Sequence, residues 1–175
     1  MRVLLPASLI AILFLFSAGC KHKRKWPTLE PLGDDGVLAS SIVVSDAHSA
    51  HQLVKGFYEP DDQWRWTARD FAATLAPPAH VGATGARLEI ALAVPEALIQ
   101  RLQSITLSTV INGLNVQPET YSRPGAYTYS RDIPPDRLRS AAILVEGHLD
   151  KTLPPSAADP RELGIIVVSI GFTAK

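Results

Sequence analysis

The feature that most constrains the fold of this chain is an alternation of apolar and polar residues with a period of two. Apolar side chains occupy every second position of residues 87–94, and residues 104–111 repeat the pattern. The apolar positions of the first segment are Leu88, Ile90, Leu92 and Val94. Successive side chains of a β-strand point to opposite faces of the sheet, so this period predicts strands with one buried face.

Other apolar runs predict further strands at residues 40–45, 70–76, 141–148 and 163–173. The last run is almost continuously apolar, which is typical of a central strand buried on both faces. Asn112 and Gly113 separate the strand at 104–111 from residues 114–116, and this pair favours a tight hairpin turn. Only residues 95–103 have a helical pattern.

The 14 prolines and 11 glycines lie mostly between these runs and supply turns. Short strands separated by turns, without alternating long helices, predict an all-β fold. We therefore expect an antiparallel β-sandwich, jelly-roll-like or immunoglobulin-like, with at most one short helix.

A second pattern lies at the amino terminus. Arg2 precedes an apolar stretch at residues 3–16, and Ser17, Ala18 and Gly19 lead into Cys20, the one cysteine of the chain. This order resembles a secretory signal that ends in the lipobox of bacterial lipoprotein precursors. The resemblance implies a signal peptide at 1–19, a lipid-anchored flexible tether at 20–38 and a single domain at 39–175. Cys20 would then be lipidated, placing the domain in the bacterial cell envelope, outside the cytoplasm.

The alternative for this segment is an uncleaved membrane anchor. From residue 3 to residue 18 the segment has 16 residues, about 24 Å as a helix, whereas the hydrocarbon core of a bilayer is about 30 Å thick. Were it retained, the basic residues 21–25 would favour a cytoplasmic domain by the positive-inside rule. The short length favours cleavage.

Composition excludes several classes of function. Removal of residues 1–19 leaves 16 Lys and Arg against 17 Asp and Glu, so nothing suggests nucleic acid as a partner. With Cys20 bound to lipid, the domain has no thiol, which excludes disulfides, thiolate metal sites and cysteine nucleophiles.

Residues 56–67 hold the strongest candidate for a binding site. Trp64 and Trp66 flank Arg65, and Glu59 precedes them. Tryptophan rings bind the apolar faces of sugars, and Arg and Glu hydrogen-bond hydroxyl groups, so these four residues suit carbohydrate. The structural alternative has the two tryptophans on opposite faces of a strand, with Trp66 in the core, and Arg65 paired with Glu59 or Asp159.

A resemblance extends this site. Gly-Phe-Tyr-Glu at 56–59, Trp-Arg-Trp-Thr at 64–67, Val-Ile-Asn-Gly at 110–113 and Asp-Pro-Arg-Glu-Leu-Gly-Ile-Ile-Val-Val at 159–168 occur in this order. The order resembles a little-characterised β-sandwich module that accompanies bacterial surface-polysaccharide glycosyltransferases and related envelope proteins. It implies a jelly-roll-like fold and a link to glycans, with Asp159, Arg161 and Glu162 as a candidate motif network. It supplies no catalytic residues and no cofactor.

Metal and catalytic patterns are weak. Asp46, His48 and His51 are close in sequence, but on a strand only the first two share a face, which favours a polar surface loop. Two alternatives use Glu59: a structural Ca²⁺ site with its acidic neighbours 61 and 62, or a glycosidase pair with Glu162. We predict no metal, no cofactor and no catalytic residue.

The leading hypothesis is a membrane-anchored, non-enzymatic envelope lipoprotein that binds or organises polysaccharide. The alternative is a structural or protein-partner module in a polysaccharide assembly or export system, bound to envelope proteins. A glycoside-active enzyme is the least favoured hypothesis.

Overall fold

Strands dominate residues 36–79, 81 and 84–175, the part of the chain that the computed structural model describes. The nine strands found there are β1 (Ser41–Val43), β2 (Leu53–Phe57), β3 (Arg65–Leu75), β4 (Ala86–Val94), β5 (Ile105–Ile111), β6 (Leu114–Tyr121), β7 (Gly125–Ile133), β8 (Ile143–Leu149) and β9 (Ile166–Ala174). One α-helix, α1 (Glu96–Leu102), and two 3₁₀ turns (Ala47–Gln52 and Pro135–Leu138) complete the regular structure of these residues. The predicted all-β fold with one short helix is confirmed.

The strands form two antiparallel sheets. Sheet A has the order β1-β9-β4-β7, and sheet B has the order β2-β3-β8-β5-β6. The long strand β3 belongs to both sheets, because its first residues pair with β9 and residues 70–75 pair with β8.

The pairing is nested along the chain. With β2 set aside, the first strand pairs with the last (β1 with β9), and the remaining pairs are β3 with β8, β4 with β7 and β5 with β6. Such nesting is the topology of a jelly roll. The predicted antiparallel β-sandwich is therefore confirmed, in its jelly-roll form.

The predicted alternation accounts for the core. The four apolar positions of β4, from Leu88 to Val94, are at most 2% exposed, and the buried side of β5 faces the same core. Asn112 and Gly113 both have positive φ, 44° and 80°, as the predicted tight turn requires. Sequence period thus fixes which side of each of these strands faces inward.

Three departures from the predicted strands have physical causes. Strands β2 and β7 were not predicted, because neither has a clean apolar alternation, and β7 directs Tyr127 and Tyr129 toward the core, with Ile133 as its one buried aliphatic side chain. Strand β6 continues to Tyr121 through Pro118, which an edge strand tolerates. Strand β9 is central, as predicted, but one side is only partly buried, so the prediction of two buried faces is wrong.

The predicted signal peptide 1–19, Cys20 and the tether as far as residue 35 lie outside the described residues. Within the described residues, no helix has the length and apolar character needed to span a membrane.

Candidate functional site

Strand β3 places Trp66 on the outer face of sheet A. Thr67, Phe71 and Leu75 are buried on the inner side of this strand, and Trp66 lies at an alternate position. Trp66 pairs with Ile166 of β9, Ile166 pairs with Ala93 of β4, and Ala93 pairs with Ala126 of β7. These four residues therefore form one row across four strands.

Trp64 and Trp66 form a single aromatic patch, which we call the tryptophan end. Their ring centroids are 6.2 Å apart and the rings meet edge to face at 81°. The expectation that they lie on opposite faces is wrong, because residues two apart on a strand point the same way. Both are partly buried, and Trp66 also packs against the core.

A shallow depression of about 310 Å³ lies on the outer face of sheet A, separated from Trp66 by Ile166 of β9. Its outward side chains come from Ala91, Ala93, Ala126, Thr128 and Val168, a set that we call the alanine floor. Short side chains at consecutive outward positions of β4 and β7 leave a recess, since larger ones would fill it. No charged side chain is among the residues that line this depression.

The Arg65 side chain donates hydrogen bonds to backbone carbonyl oxygens rather than to a carboxylate. Its Nε donates to the carbonyl oxygen of Val44 at 2.6 Å, and its Nη1 donates to that of Tyr58 at 2.8 Å. The expected pairing with Glu59 or Asp159 is wrong, because Arg65 lies two residues before the buried Thr67 on the inner side of β3. Arg65 thereby ties the ends of β1 and β2 to the strand that carries the tryptophans.

Asp159 and Arg161 form a local clamp. Arg161 Nη2 donates to Asp159 Oδ2 at 2.7 Å and its Nε donates to Oδ1 at 2.9 Å, while the guanidinium lies 5.2 Å from the Tyr58 ring centroid. The Arg161 side chain, followed by its backbone N–H, lowers the pKa of Asp159 to about 2. The same side-chain hydrogen bonds raise the pKa of Arg161.

Glu162, the third residue of the predicted motif network, accepts hydrogen bonds from three side chains. Its Oε1 accepts a 2.6 Å hydrogen bond from Thr152 Oγ1 and a 3.3 Å contact from Arg69 Nε. Its carbonyl oxygen accepts from Tyr58 Oη at 2.7 Å. The motif network therefore fastens the segment between β8 and β9 onto β2 and β3.

Glu59 differs from the other predicted site residues. It is exposed in the turn between β2 and β3 and makes no hydrogen bond or ion pair with any described residue. The turn also carries Asp61, which bridges to Trp64 through backbone hydrogen bonds, and Asp62, whose φ is 57°. Among the carboxylates of the predicted site, Glu59 is therefore available to a ligand, whereas Asp159 and Glu162 are hydrogen-bonded within the protein.

The Asp46 cluster has a local role. Asp46 precedes the 3₁₀ turn Ala47–Gln52 and its Oδ1 accepts from the backbone N–H of His48 at 2.9 Å and lies 3.0 Å from its Nδ1. These contacts, the backbone one first, lower the pKa of Asp46. In residues 36–79, 81 and 84–175, no three His, Cys, Asp or Glu side chains are arranged to hold a metal ion.

The outer face of sheet B is polar. Asp70 Oδ1 lies 2.7 Å from His148 Nδ1, with both side chains 55% exposed, and Ser108 is the cross-strand partner of His148 on the other side. These are the residue types of a nucleophile triad. However, no hydrogen bond joins Ser108 to His148 within the described part of the chain.

Sequence reasoning missed the alanine floor. The outward positions of Ala91 and Ala93 follow from the period of β4, and two small apolar residues at solvent-facing positions were the available signal. Ala126 and Thr128 lie on β7, a strand that the sequence pattern did not predict.

No protein-family model matches this chain, and no curated protein matches it. Among solved structures, it is similar to an acetyl xylan esterase from the rumen bacterium Butyrivibrio proteoclasticus, with 13% identity and a TM-score of 0.46 over 79% of this chain and 34% of the esterase. The chain therefore spans about a third of that enzyme's length.

Two further structures are similar. One is described as CBM4, with 11% identity and a TM-score of 0.37 over 76% of this chain and 85% of the other. The second is a cycloalternan-forming enzyme from Listeria monocytogenes in complex with a pentasaccharide substrate, with 15% identity and a TM-score of 0.34 over 77% of this chain and 11% of the enzyme. These likenesses are weak and assign no activity to this chain.

Proposed function

We propose that the domain is a non-enzymatic polysaccharide-binding jelly roll whose contact surface is the tryptophan end. The observation that supports this most is the position of Trp64 and Trp66, two partly exposed rings in contact on the outer face of a sheet. Trp66 also packs against the core, yet both rings keep part of their surface exposed to solvent. Aromatic rings combine a large apolar surface with little conformational entropy to lose, which suits the apolar faces of sugar rings.

The other two predicted contact residues take different roles in this proposal. Arg65 positions the strands around the tryptophans, since its donors are directed at two carbonyl oxygens. Glu59 offers an unoccupied carboxylate to sugar hydroxyls from the adjoining turn. A charge-assisted hydrogen bond of this kind contributes orientation as well as affinity.

Binding without turnover is part of the proposal. A glycosidase needs one carboxylate as general acid and another as nucleophile or base. Glu162, the partner considered for Glu59, accepts hydrogen bonds from Thr152 and Arg69 and serves to hold the segment after β8.

Retention of the purified domain in native gels that contain a polysaccharide tests this function. We expect slower migration with at least one of β-glucan, arabinoxylan, galactomannan or alginate, and loss of that retention in Trp64→Ala and Trp66→Ala. Asp70→Ala, on the outer face of sheet B, is the matched control and keeps the retention. Equal retention of the folded tryptophan variants and the wild type would remove the tryptophan end as the site. Hydrolysis of the glycan, lost in Glu59→Gln, would instead establish an enzyme.

We also propose that Cys20 carries lipid and that residues after it tether the domain to a membrane of the bacterial envelope. Support comes from the Ser17-Ala18-Gly19-Cys20 sequence after an apolar run. Diacylglycerol with a further acyl chain exceeds the two signals that stable anchoring requires. Palmitate labelling of the full chain should disappear in Cys20→Ser, and unchanged labelling would contradict the anchor.

A further inference from the structure

We infer that the ligand of the tryptophan end is a neutral polysaccharide whose chain continues from Trp66 across the alanine floor toward Ala126. The inference rests on the proposed function and adds a second part to the site and a chemical class to the ligand. It follows from the shape of the outer face of sheet A and from the charges around it.

The shape argument begins with the row Trp66, Ile166, Ala93 and Ala126. These residues are direct partners on β3, β9, β4 and β7, so the row spans three strand spacings, about 14 Å. A neighbouring row pairs Ser169 with Ala91 and Ala91 with Thr128. The floor is open to solvent, and Ile166 of β9 is the one residue between Trp66 and Ala93 in this row. A single sugar ring would leave much of it uncovered, whereas an extended chain covers it.

The chemistry of the floor favours a ligand without charge. Alanine and valine side chains offer apolar contact, and Thr128 adds one hydroxyl. An anionic sugar placed here would lose water without gaining a cationic partner, and uncompensated desolvation of a charge is costly. A neutral sugar loses less, because its ring face is apolar and its hydroxyls remain accessible from the open side.

The charges at the tryptophan end also favour a neutral ligand over an anionic one. The turn between β2 and β3 presents the exposed acids Glu59, Asp61 and Asp62. Arg65 is directed at backbone carbonyls, and Arg161 is paired with Asp159. Since a polyanion on Trp64 would approach this acidic turn within about a Debye length, repulsion would weaken its binding at physiological salt.

The cationic side chains at the far end of sheet A do not attract an anionic ligand to the floor, because they are paired with a carboxylate. Arg87 Nε lies 3.2 Å and Lys175 Nζ lies 2.9 Å from the carboxylate of Asp132, and Glu89 follows Arg87 on the same outward side of β4. The hydrogen bond from Lys175, followed by the one from Arg87, lowers the pKa of Asp132. Arg123 lies in the turn before β7 and is not among the residues that line the floor.

The test compares neutral and anionic polysaccharides in native gels at about 0.15 M salt, the physiological ionic strength. The neutral set is mixed-linkage β-glucan, arabinoxylan, galactomannan and dextran; the anionic set is alginate, hyaluronan and polygalacturonate. We expect retention by a member of the neutral set and none by the anionic set. Ala93→Leu, which fills the floor, should weaken that retention at least tenfold, while Ser108→Leu at an outward position of sheet B leaves it unchanged.

The outcomes separate the inference from the proposed function. Retention by anionic glycans alone would overturn the neutral class, and Arg123→Ala would then show whether that arginine is responsible. Neutral retention that Trp64→Ala abolishes but folded Ala93→Leu leaves intact would overturn the floor and keep the tryptophan end. No retention by either set would refute the proposed function itself. A concentration-dependent dimer in sedimentation, abolished by Ala93→Leu without glycan, would show that a second copy occupies the floor and overturn the inference.

Discussion

The outer faces of the two sheets cover the same core but differ in chemistry. Sheet B carries an exposed Asp70–His148 pair with Ser108 beside it, whereas sheet A carries two partly exposed tryptophans and a floor of alanines. A sheet with one solvated face ordinarily places polar residues there. Sheet B follows this rule, and so does the end of sheet A that carries Arg87 and Asp132. The end of sheet A that carries Trp66 and the alanine floor departs from it, so that part of the outer face is where we expect binding.

Strand β3 shows the contrast within one element, since it belongs to both sheets. Its outward positions carry Trp66 where it pairs with β9 and Asp70 where it pairs with β8. Its inward positions carry the buried Thr67, Phe71 and Leu75, while Arg65 and Arg69 on the same side donate to backbone carbonyl oxygens. Folding therefore explains the inward series, and the part of Trp66 that stays exposed on the outward side is what we ascribe to function.

The largest expected effect is on binding. Combined Trp64→Ala and Trp66→Ala should weaken retention by neutral polysaccharide about 100-fold, about 2.7 kcal/mol, because large buried aromatic contacts dominate binding energies. The double variant Asp70→Ala with His148→Ala removes the polar pair of sheet B and should leave retention unchanged. Affinity electrophoresis over a range of glycan concentrations gives both numbers. Loss in the sheet B variant instead would reverse the comparison.

Arg65→Lys distinguishes a positioning role from a charge role. Lysine keeps the positive charge but cannot donate to the carbonyls of Val44 and Tyr58 in the same geometry. We expect the free energy of unfolding to fall by about 1–3 kcal/mol and glycan retention to fall about tenfold. Urea unfolding and affinity gels provide the measurements. Full binding with normal stability would mean that Arg65 contributes only its charge and does not position the strands.

Tyr58→Phe tests whether the segment after β8 supports the tryptophan end without touching the ligand. The change removes the donor to the carbonyl oxygen of Glu162, and we expect a loss of about 1 kcal/mol in unfolding free energy. Retention should change less than twofold, because the ring of Tyr58 remains beside Arg161. Thr106→Val, a hydroxyl removal on the outer face of sheet B, is the control. A large loss of binding at unchanged stability would place Tyr58 in the contact surface.

The smallest expected effect is a pH dependence at the Asp159–Arg161 clamp. The pKa of Asp159 is lowered to about 2 in the folded protein, below its ordinary value near 3.8. A depressed carboxyl pKa contributes stability above about pH 4, and that contribution is lost as the pH falls toward 2. Asp159→Asn should therefore be slightly less stable than the wild type at pH 6 and equal to it near pH 2.

Urea midpoints at both pH values measure this difference, and about 1 M salt at pH 6 should reduce it because the pair is partly exposed to solvent. A deficit of Asp159→Asn that is the same at pH 2 and pH 6 would show that the clamp does not depend on the charge of Asp159.

Much of the sandwich was predictable because local period determines the inward side of a strand. The buried series of β4 and β5, the turn at Asn112-Gly113 and helix α1 all follow from neighbouring residues in sequence. Strand β7 was not predictable in this way, because long-range contacts position its inward side chains. Tyr129 hydrogen-bonds to Thr109, and Arg131 donates to the carbonyl oxygen of Gln117.

The candidate site likewise has some residues that the sequence could identify and some contacts that it could not. Trp64, Trp66 and Glu59 were recognisable from residue type, and the motif at 159–162 does join β2 and β3 through Tyr58 and Arg69. The partners of Arg65 and the alanine floor depend on strand register between distant segments, which no local pattern specifies. The prediction that Trp64 and Trp66 lie on opposite faces was wrong although the sequence alone contradicts it, because residues two apart on a strand share a face.

The most direct test of the central claim is an NMR titration of the isotope-labelled domain with oligosaccharides from β-glucan, arabinoxylan, galactomannan and dextran. The indole signals of Trp64 and Trp66, and the backbone amides of Ala91, Ala93 and Ala126, should shift together with one dissociation constant. Signals from Asp70, Ser108 and His148 should stay in place. Shifts confined to the outer face of sheet B, or binding that leaves both indoles unperturbed, would contradict a glycan site on sheet A.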